Sequence, residues 1–131
     1  MARYHIAILK KPYLNLVLAG SKTIECRLSR LACPPFGRIK RGERILLKES
    51  GGPVRAQARA GTVRFFENLS PPDVEKILRD YNHLILGEPD YWTAKTSSRY
   101  ATLIPLENVQ PLRPYRLVKR WNMRAWIVCE K

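Results

Sequence analysis

Apolar residues change period several times along the chain, and each change marks a predicted element. Tyr4 to Leu9 is a short apolar run with the composition of a first strand. From Pro12 to Ala19 the spacing becomes helical. Proline at the first helical position and Gly20, suited to a left-handed cap, predict a two-turn helix. Beyond the cap the period switches to two: Ile24, Cys26 and Leu28 alternate with Thr23, Glu25, Arg27 and Ser29, which predicts a strand with one polar face.

Arg44 to Glu49 is a further apolar strand, leaving through the turn Ser50-Gly51-Gly52-Pro53. Val54, Ala56, Ala58 and Ala60 alternate with Arg55, Gln57 and Arg59, after which Val63 and Phe65 take the opposite parity and place a bulge at Gly61. Ser70-Pro71-Pro72-Asp73 reads as a helix start followed by Val74, Ile77, Leu78 and Tyr81 at helical spacing. Gly87 to Asp90 breaks the chain before Tyr91 to Lys95. Tyr100 to Val109 and Arg124 to Cys129 read as late strands, with Pro105, Pro111 and Pro114 as punctuation.

Several short strands interrupted by two or three helices, with small alanines where a sheet must curve, predict an α+β fold: a small mixed β-barrel with helices packed around it. The length of 131 residues corresponds to one domain spanning 1–131. A doubly wound parallel sheet would need regular helix-strand alternation and a glycine-rich phosphate loop, and neither occurs.

Composition then narrows the partner. Twenty-four Lys and Arg against eleven Asp and Glu give a net charge of +13, spread over the whole chain. A basic folded body attracts polyanions, which makes RNA the first partner to consider; a basic protein without such a ligand is the plainer reading. Cys26, Cys33 and Cys129 are odd in number, without metal-ligand spacing, and far from His5 and His83. No disulfide framework, metal site, cofactor motif, signal peptide or membrane-spanning segment is expected, and a cytoplasmic location fits.

The candidate chemistry lies in Gly20-Ser-Lys22-Thr-Ile-Glu25-Cys-Arg27, where two cations and a carboxylate fall within six residues. Two strand rises separate Glu25 from Arg27 by about 7 Å on one face. Strict parity puts Lys22 on the other face unless a turn at Ser21 to Thr23 returns it. Lys22 and Glu25 are the candidate catalytic pair and Arg27 a ligand-binding residue; the plainer reading is an ordinary ion pair plus a lysine at a helix end. Further candidate ligand residues are Lys48 and Ser50 at a strand end, and Trp92, Lys95 and Arg99, with Trp92 or Tyr91 stacking a base and Trp92 alternatively plugging the barrel. Arg55, Gln57 and Arg59 form either a phosphate track or a solvated strand face. Trp121, Trp126 and His5 read as structural.

The spacing Gly20-x-Lys22-x-x-Glu25-x-Arg27 resembles the GxKxxExR signature of ASCH domains, a branch of the PUA-like superfamily. Lys11-Pro12-Tyr13 ahead of the helix, Arg41-Gly42, the strand ending at Lys48, and Trp126 fall in the order that family shows. The resemblance implies a PUA-like barrel with a cleft beside the motif that binds RNA or a modified nucleoside. Two alternative activities come with it: hydrolysis of N(4)-acetylcytidine, and metal-independent cleavage of RNA. The amidohydrolases of that type carry Lys at the position of Lys22 but Thr where this chain has Glu25.

Overall fold

Strand β1 (Arg3–Leu9) opens a computed structural model that describes residues 3–118 and 124–130. It is followed by α1 (Lys11–Leu18), β2 (Ile24–Ser29), β3 (Arg44–Glu49), β4 (Val54–Ala60), β5 (Arg64–Phe66), α2 (Pro71–Ile85), α3 (Pro89–Ala94), β6 (Tyr100–Tyr115) and β7 (Trp126–Glu130). The strands form one curled mixed sheet in the order β2-β6-β4-β3-β1-β7, with β5 on the free side of β6. Only β1 with β3 is parallel among these pairs, α1 supplying part of the crossover.

β6 is the spine. Its first half pairs with β2 and β5 and its second half with β4, so it joins the two lobes of the sheet. Proline has no N–H to donate, which made Pro105, Pro111 and Pro114 look like breaks; all three lie within β6, which runs on to Tyr115. The bend also moves. Between Gln57 and Arg59 the partners on β6 run from Gln110 to Glu107, so the extra residue is on β6, where Asn108 takes φ 51°. Gly61 instead follows the end of β4, held by its N–H on the Pro105 carbonyl.

The helices close the lobes. α2 begins at Ser70, whose backbone N–H and hydroxyl both donate to Asp73, and continues past Tyr81 to Ile85, where Leu86 at φ 59° ends it. Val74, Ile77 and Ile85 pack on Ile24, Cys26, Leu28 and Leu103, the outer face of β2 and β6. The curled interior is filled by Ala7, Leu14, Val17, Ile45, Leu47, Ala56, Ala58, Ala60, Ile104 and Trp126. Trp121 lies outside the described residues.

Small side chains on β4 let the sheet curl this tightly, and Ala58 is fully enclosed. Ala58→Leu is expected to lower stability by about 1–3 kcal/mol through overpacking, read as a reduced urea midpoint. An unchanged midpoint would show slack in the interior.

Candidate functional site

Three elements bring the motif together. Just past α1 stands Gly20, whose φ of +82° turns the chain back so that the amides of Ser21 and Lys22 both donate to the Leu16 carbonyl. That turn returns Lys22 to the side of Glu25, and its Nζ lies 3.3 Å from Glu25 Oε1. The same ammonium donates to the carbonyls of Ile24 at 3.0 Å and Ile85 at 2.6 Å. Ile85 closes α2, and the neighbouring Leu84 carbonyl takes the Thr23 N–H, so Lys22 serves the carbonyl end of α2 rather than that of α1.

Glu25 is buried between two cations. Arg27 Nε donates to its Oε2 at 2.6 Å. Burial pushes the Glu25 carboxyl up, but Arg27 and then Lys22 outweigh it and hold the group below the usual carboxylate range. Arg27 Nη2 donates to the Ile8 carbonyl of β1 and Nη1 to the Ala125 carbonyl just before β7, while the guanidinium lies 5.2 Å from the centre of the Trp126 ring. β2 and β7 are the two ends of the sheet order, so Arg27 spans the seam where no ladder forms.

The trio floors a cleft of about 660 Å³ between α1, the end of β1, β2 and α3, a volume suited to a small ligand. Tyr13 on α1 and Tyr91 on α3 contribute aromatic walls; Lys10 and Lys95 add cations, and Glu88 and Asp90 carboxylates. Tyr13 lies 5.5 Å from Lys22 Nζ and its hydroxyl accepts the Glu88 N–H. Tyr91 donates its hydroxyl to the Cys26 carbonyl, and burial pushes its pKa up, so it stays a donor. Burial likewise pushes the Cys26 thiol up to about 12, which leaves it protonated.

Lys95 lines this cleft with Lys22, Glu25 and Arg27, whereas the other candidates lie elsewhere. Trp92 is buried under α2 and gives its indole N–H to Asn82, so Tyr91, not Trp92, offers a ring to the cleft. A Cβ at Gly87 would come 2.7 Å from Trp92 Nε1 and 2.9 Å from Tyr91 Cδ2, which is why a glycine stands there. Lys48 donates to the Glu49 carbonyl on the sheet face opposite Leu47. Ser50 and Arg99 are exposed and off the cleft. Arg55, Gln57 and Arg59 share a face, but Arg55 is bound to Asn15 and Glu49, Gln57 to Arg44 and Gln110, and Arg59 to the Gly42 carbonyl. No local pattern marks Lys10 or the acidic pair, because Lys10 enters from the β1–α1 junction and Glu88 and Asp90 from the start of α3, on the other side of the cleft. The Lys11-Pro12-Tyr13 run was the one local signal of that wall.

An ASCH protein from Zymomonas mobilis superimposes with a TM-score of 0.72 at 18% identity, covering 98% of this chain and 88% of its own. A tyrosine-to-phenylalanine mutant of the Zymomonas mobilis ASCH protein gives 0.74 at 17% identity, covering 98% and 91%. The chain has the ASCH fold. A hypothetical protein, PH0355, matches more loosely, with a TM-score of 0.53 at 18% identity over 82% of this chain and 97% of its own. No family model and no curated protein sequence matches. Among the described residues of this ASCH-fold chain, no three His, Cys, Asp or Glu gather as a metal would need, and no helix is long and apolar enough to cross a membrane.

Removing Glu25 would leave the buried Lys22 and the partly buried Arg27 without their counter-ion. Glu25→Ala is expected to cost about 3–5 kcal/mol in urea unfolding. A loss under about 1 kcal/mol would place the trio with ordinary exposed pairs.

A second polar pair lies behind Trp126. His5 is fully buried; its Nδ1 accepts the Trp126 indole N–H at 3.0 Å, and its Nε2 lies 2.8 Å from Glu43 Oε1. An indole N–H only donates, so Nδ1 carries the lone pair and the ring is neutral. Burial lowers the His5 pKa below 6.5 despite Glu43, with Arg3 and Arg38 adding to the lowering. The unfolded chain therefore takes up a proton below pH 6.5 that the fold resists: this contribution is complete above that pH and is lost as pH falls toward the folded pKa. His5→Gln, which keeps an acceptor and a donor, should flatten the fall of the urea midpoint on going from neutral to mildly acid pH. An equal fall in both proteins would contradict the assignment.

Proposed function

We propose that this ASCH-fold protein binds a nucleobase or modified nucleoside, free or within RNA, in the cleft floored by Lys22, Glu25 and Arg27. The observation that carries the reading is a buried carboxylate with acceptor capacity left on both oxygens, beside a guanidinium that uses three of its five N–H donors on Glu25, Ile8 and Ala125. An adjacent acceptor and donor suit a base edge bearing an amino group beside a ring nitrogen or carbonyl. The rings of Tyr13 and Tyr91 supply apolar surface for the base, and Lys10 and Lys95 supply charge for a phosphate.

Binding is favoured over catalysis on chemical grounds. Lys22 Nζ faces three acceptors, the number an ammonium satisfies; as a base it would have to give one up. Glu25, held below the usual carboxylate range by its cationic neighbours, is a weak base at neutral pH. The trio is built to hold fixed charges still.

The test is titration calorimetry with cytidine and N(4)-acetylcytidine, with mass spectrometry of the same mixtures for released cytidine. Binding without turnover is expected, and Tyr91→Leu and Lys95→Ala should each weaken it by roughly threefold to tenfold. Release of cytidine that the protein accelerates would replace the binding reading with an amidohydrolase. Folded protein with no affinity for either nucleoside or for RNA would overturn it.

A further inference from the structure

β2 is an edge strand, and its free edge faces the cleft. It is laddered to β6 on one side, and its other side belongs to the seam. Along an antiparallel pair, successive residues turn their main-chain groups alternately toward the partner and away from it. The Thr23 carbonyl takes the Leu106 N–H of β6, which sets the odd-numbered residues toward the ladder. Ile24 and Cys26 turn the other way, and their carbonyls show it: one accepts from Lys22 Nζ, the other from the Tyr91 hydroxyl. Leu28 continues the even series.

Three groups on this edge are left over. The N–H of Cys26 and the N–H and C=O of Leu28 point away from β6, and among the described residues no loop, helix or side chain bonds them. Cys26 and Leu28 are each 4% exposed, with side chains packed against α2, yet both line the cleft. What they turn to it is the edge of the strand, the side on which Tyr91, itself a cleft wall, reaches the Cys26 carbonyl. Main-chain groups enclosed in a fold are almost always paired, so bare ones at a cleft call for a partner that enters it.

The groups already engaged decide what that partner is. An added peptide strand would need a run of free carbonyls and N–H groups, and the Ile24 and Cys26 carbonyls are taken. The remainder is short. In an extended residue the N–H and C=O point the same way, so Leu28 offers one donor beside one acceptor. Such a pair matches a planar heterocycle that carries an acceptor next to a donor on one edge. We infer that the main chain of β2 reads the ligand: the Leu28 N–H and C=O pair with the edge of the base, and the Cys26 N–H takes a further acceptor. This rests on the cleft reading and adds to it a set of contacts that no side chain supplies. Glu25 and Arg27 fix the charge in the cleft, and the strand edge selects a ring by its hydrogen-bonding pattern.

The test is nitrogen-15 NMR of the unmodified protein with cytidine, N(4)-acetylcytidine and a short oligocytidylate in turn, beside calorimetry of a variant in which an ester oxygen replaces the Leu28 N–H. The α-hydroxy acid of leucine introduces that ester and keeps the side chain. Because this N–H serves no ladder bond, the urea midpoint should hold, whereas the same replacement at Arg27, whose N–H faces β6, should lower it. A ligand that binds should slow the exchange of the Cys26 and Leu28 amides with water, and the Leu28 ester should weaken it about threefold to tenfold. A ligand that binds without changing the exchange of those two amides, or that binds the Leu28 ester at full strength, would overturn the proposal and leave the cleft reading in place. No binding of any of the three by the unmodified protein would defeat the cleft reading itself, and this one with it.

Discussion

A buried lysine and carboxylate and a partly buried arginine sit at the seam between β2 and β7, the two ends of the sheet order, and the neighbouring parts of the structure are arranged around keeping them paired. Lys22 and Glu25 are only 4% and 6% exposed. Charges taken this far out of water persist in a fold only when they are paired and hydrogen-bonded, and removing one partner costs more than the pair contributes. The partners come from everywhere: Ile24 within β2, Ile85 at the end of α2, Ile8 on β1, and Ala125 before β7. The trio therefore couples α2, β1 and β7 to β2 at the seam. The same fixed charges support the proposed binding role, because groups locked by structural hydrogen bonds are preorganised for recognition and poorly placed for proton transfer.

A chain of polar and aromatic contacts carries this order across the interior. Arg27 lies against Trp126, Trp126 donates to His5, and His5 meets Glu43, which also accepts the Lys40 N–H. Each partner fixes the next. Trp126 forces the tautomer of His5, and that tautomer directs a proton at the Glu43 carboxylate. The basic loop between β2 and β3 is thus tied by its Glu43 to the ring that the cleft arginine covers.

Much of this was legible in the residues, and the exceptions have physical causes. Period changes at Gly20, Ser50 to Pro53 and Ser70 to Asp73 coincide with residues whose backbone preferences are strong, so the elements there fall where the pattern put them. Pro105, Pro111 and Pro114 misled because a missing N–H breaks a strand only where the ladder needs it; β6 bulges at Asn108 and carries on. The pairing of β1 with β3 and the seam left between β2 and β7 depend on contacts far apart in the chain, which no local pattern encodes. At the site, the motif spacing picked out Lys22, Glu25 and Arg27, but convergence of Lys22 rested on the Gly20 turn and on a carbonyl at Ile85. Tyr91 and Trp92 are adjacent and alike in composition; only the clash limits at Gly87 and the Asn82 hydrogen bond decide which ring is buried.

A basic fold whose cleft has about 660 Å³, one excess positive charge among its lining groups and two tyrosine walls supports the proposed binding of a base. The most direct test of the account is nitrogen-15 NMR of the Arg27 side chain. Bonded to a buried carboxylate, its Nε–H should give a resolved signal that exchanges slowly with water at neutral pH, disappears in Glu25→Gln, and shifts when cytidine is added. A signal that exchanges as fast as those of exposed arginines and ignores the nucleoside would contradict both the buried trio and the cleft it floors.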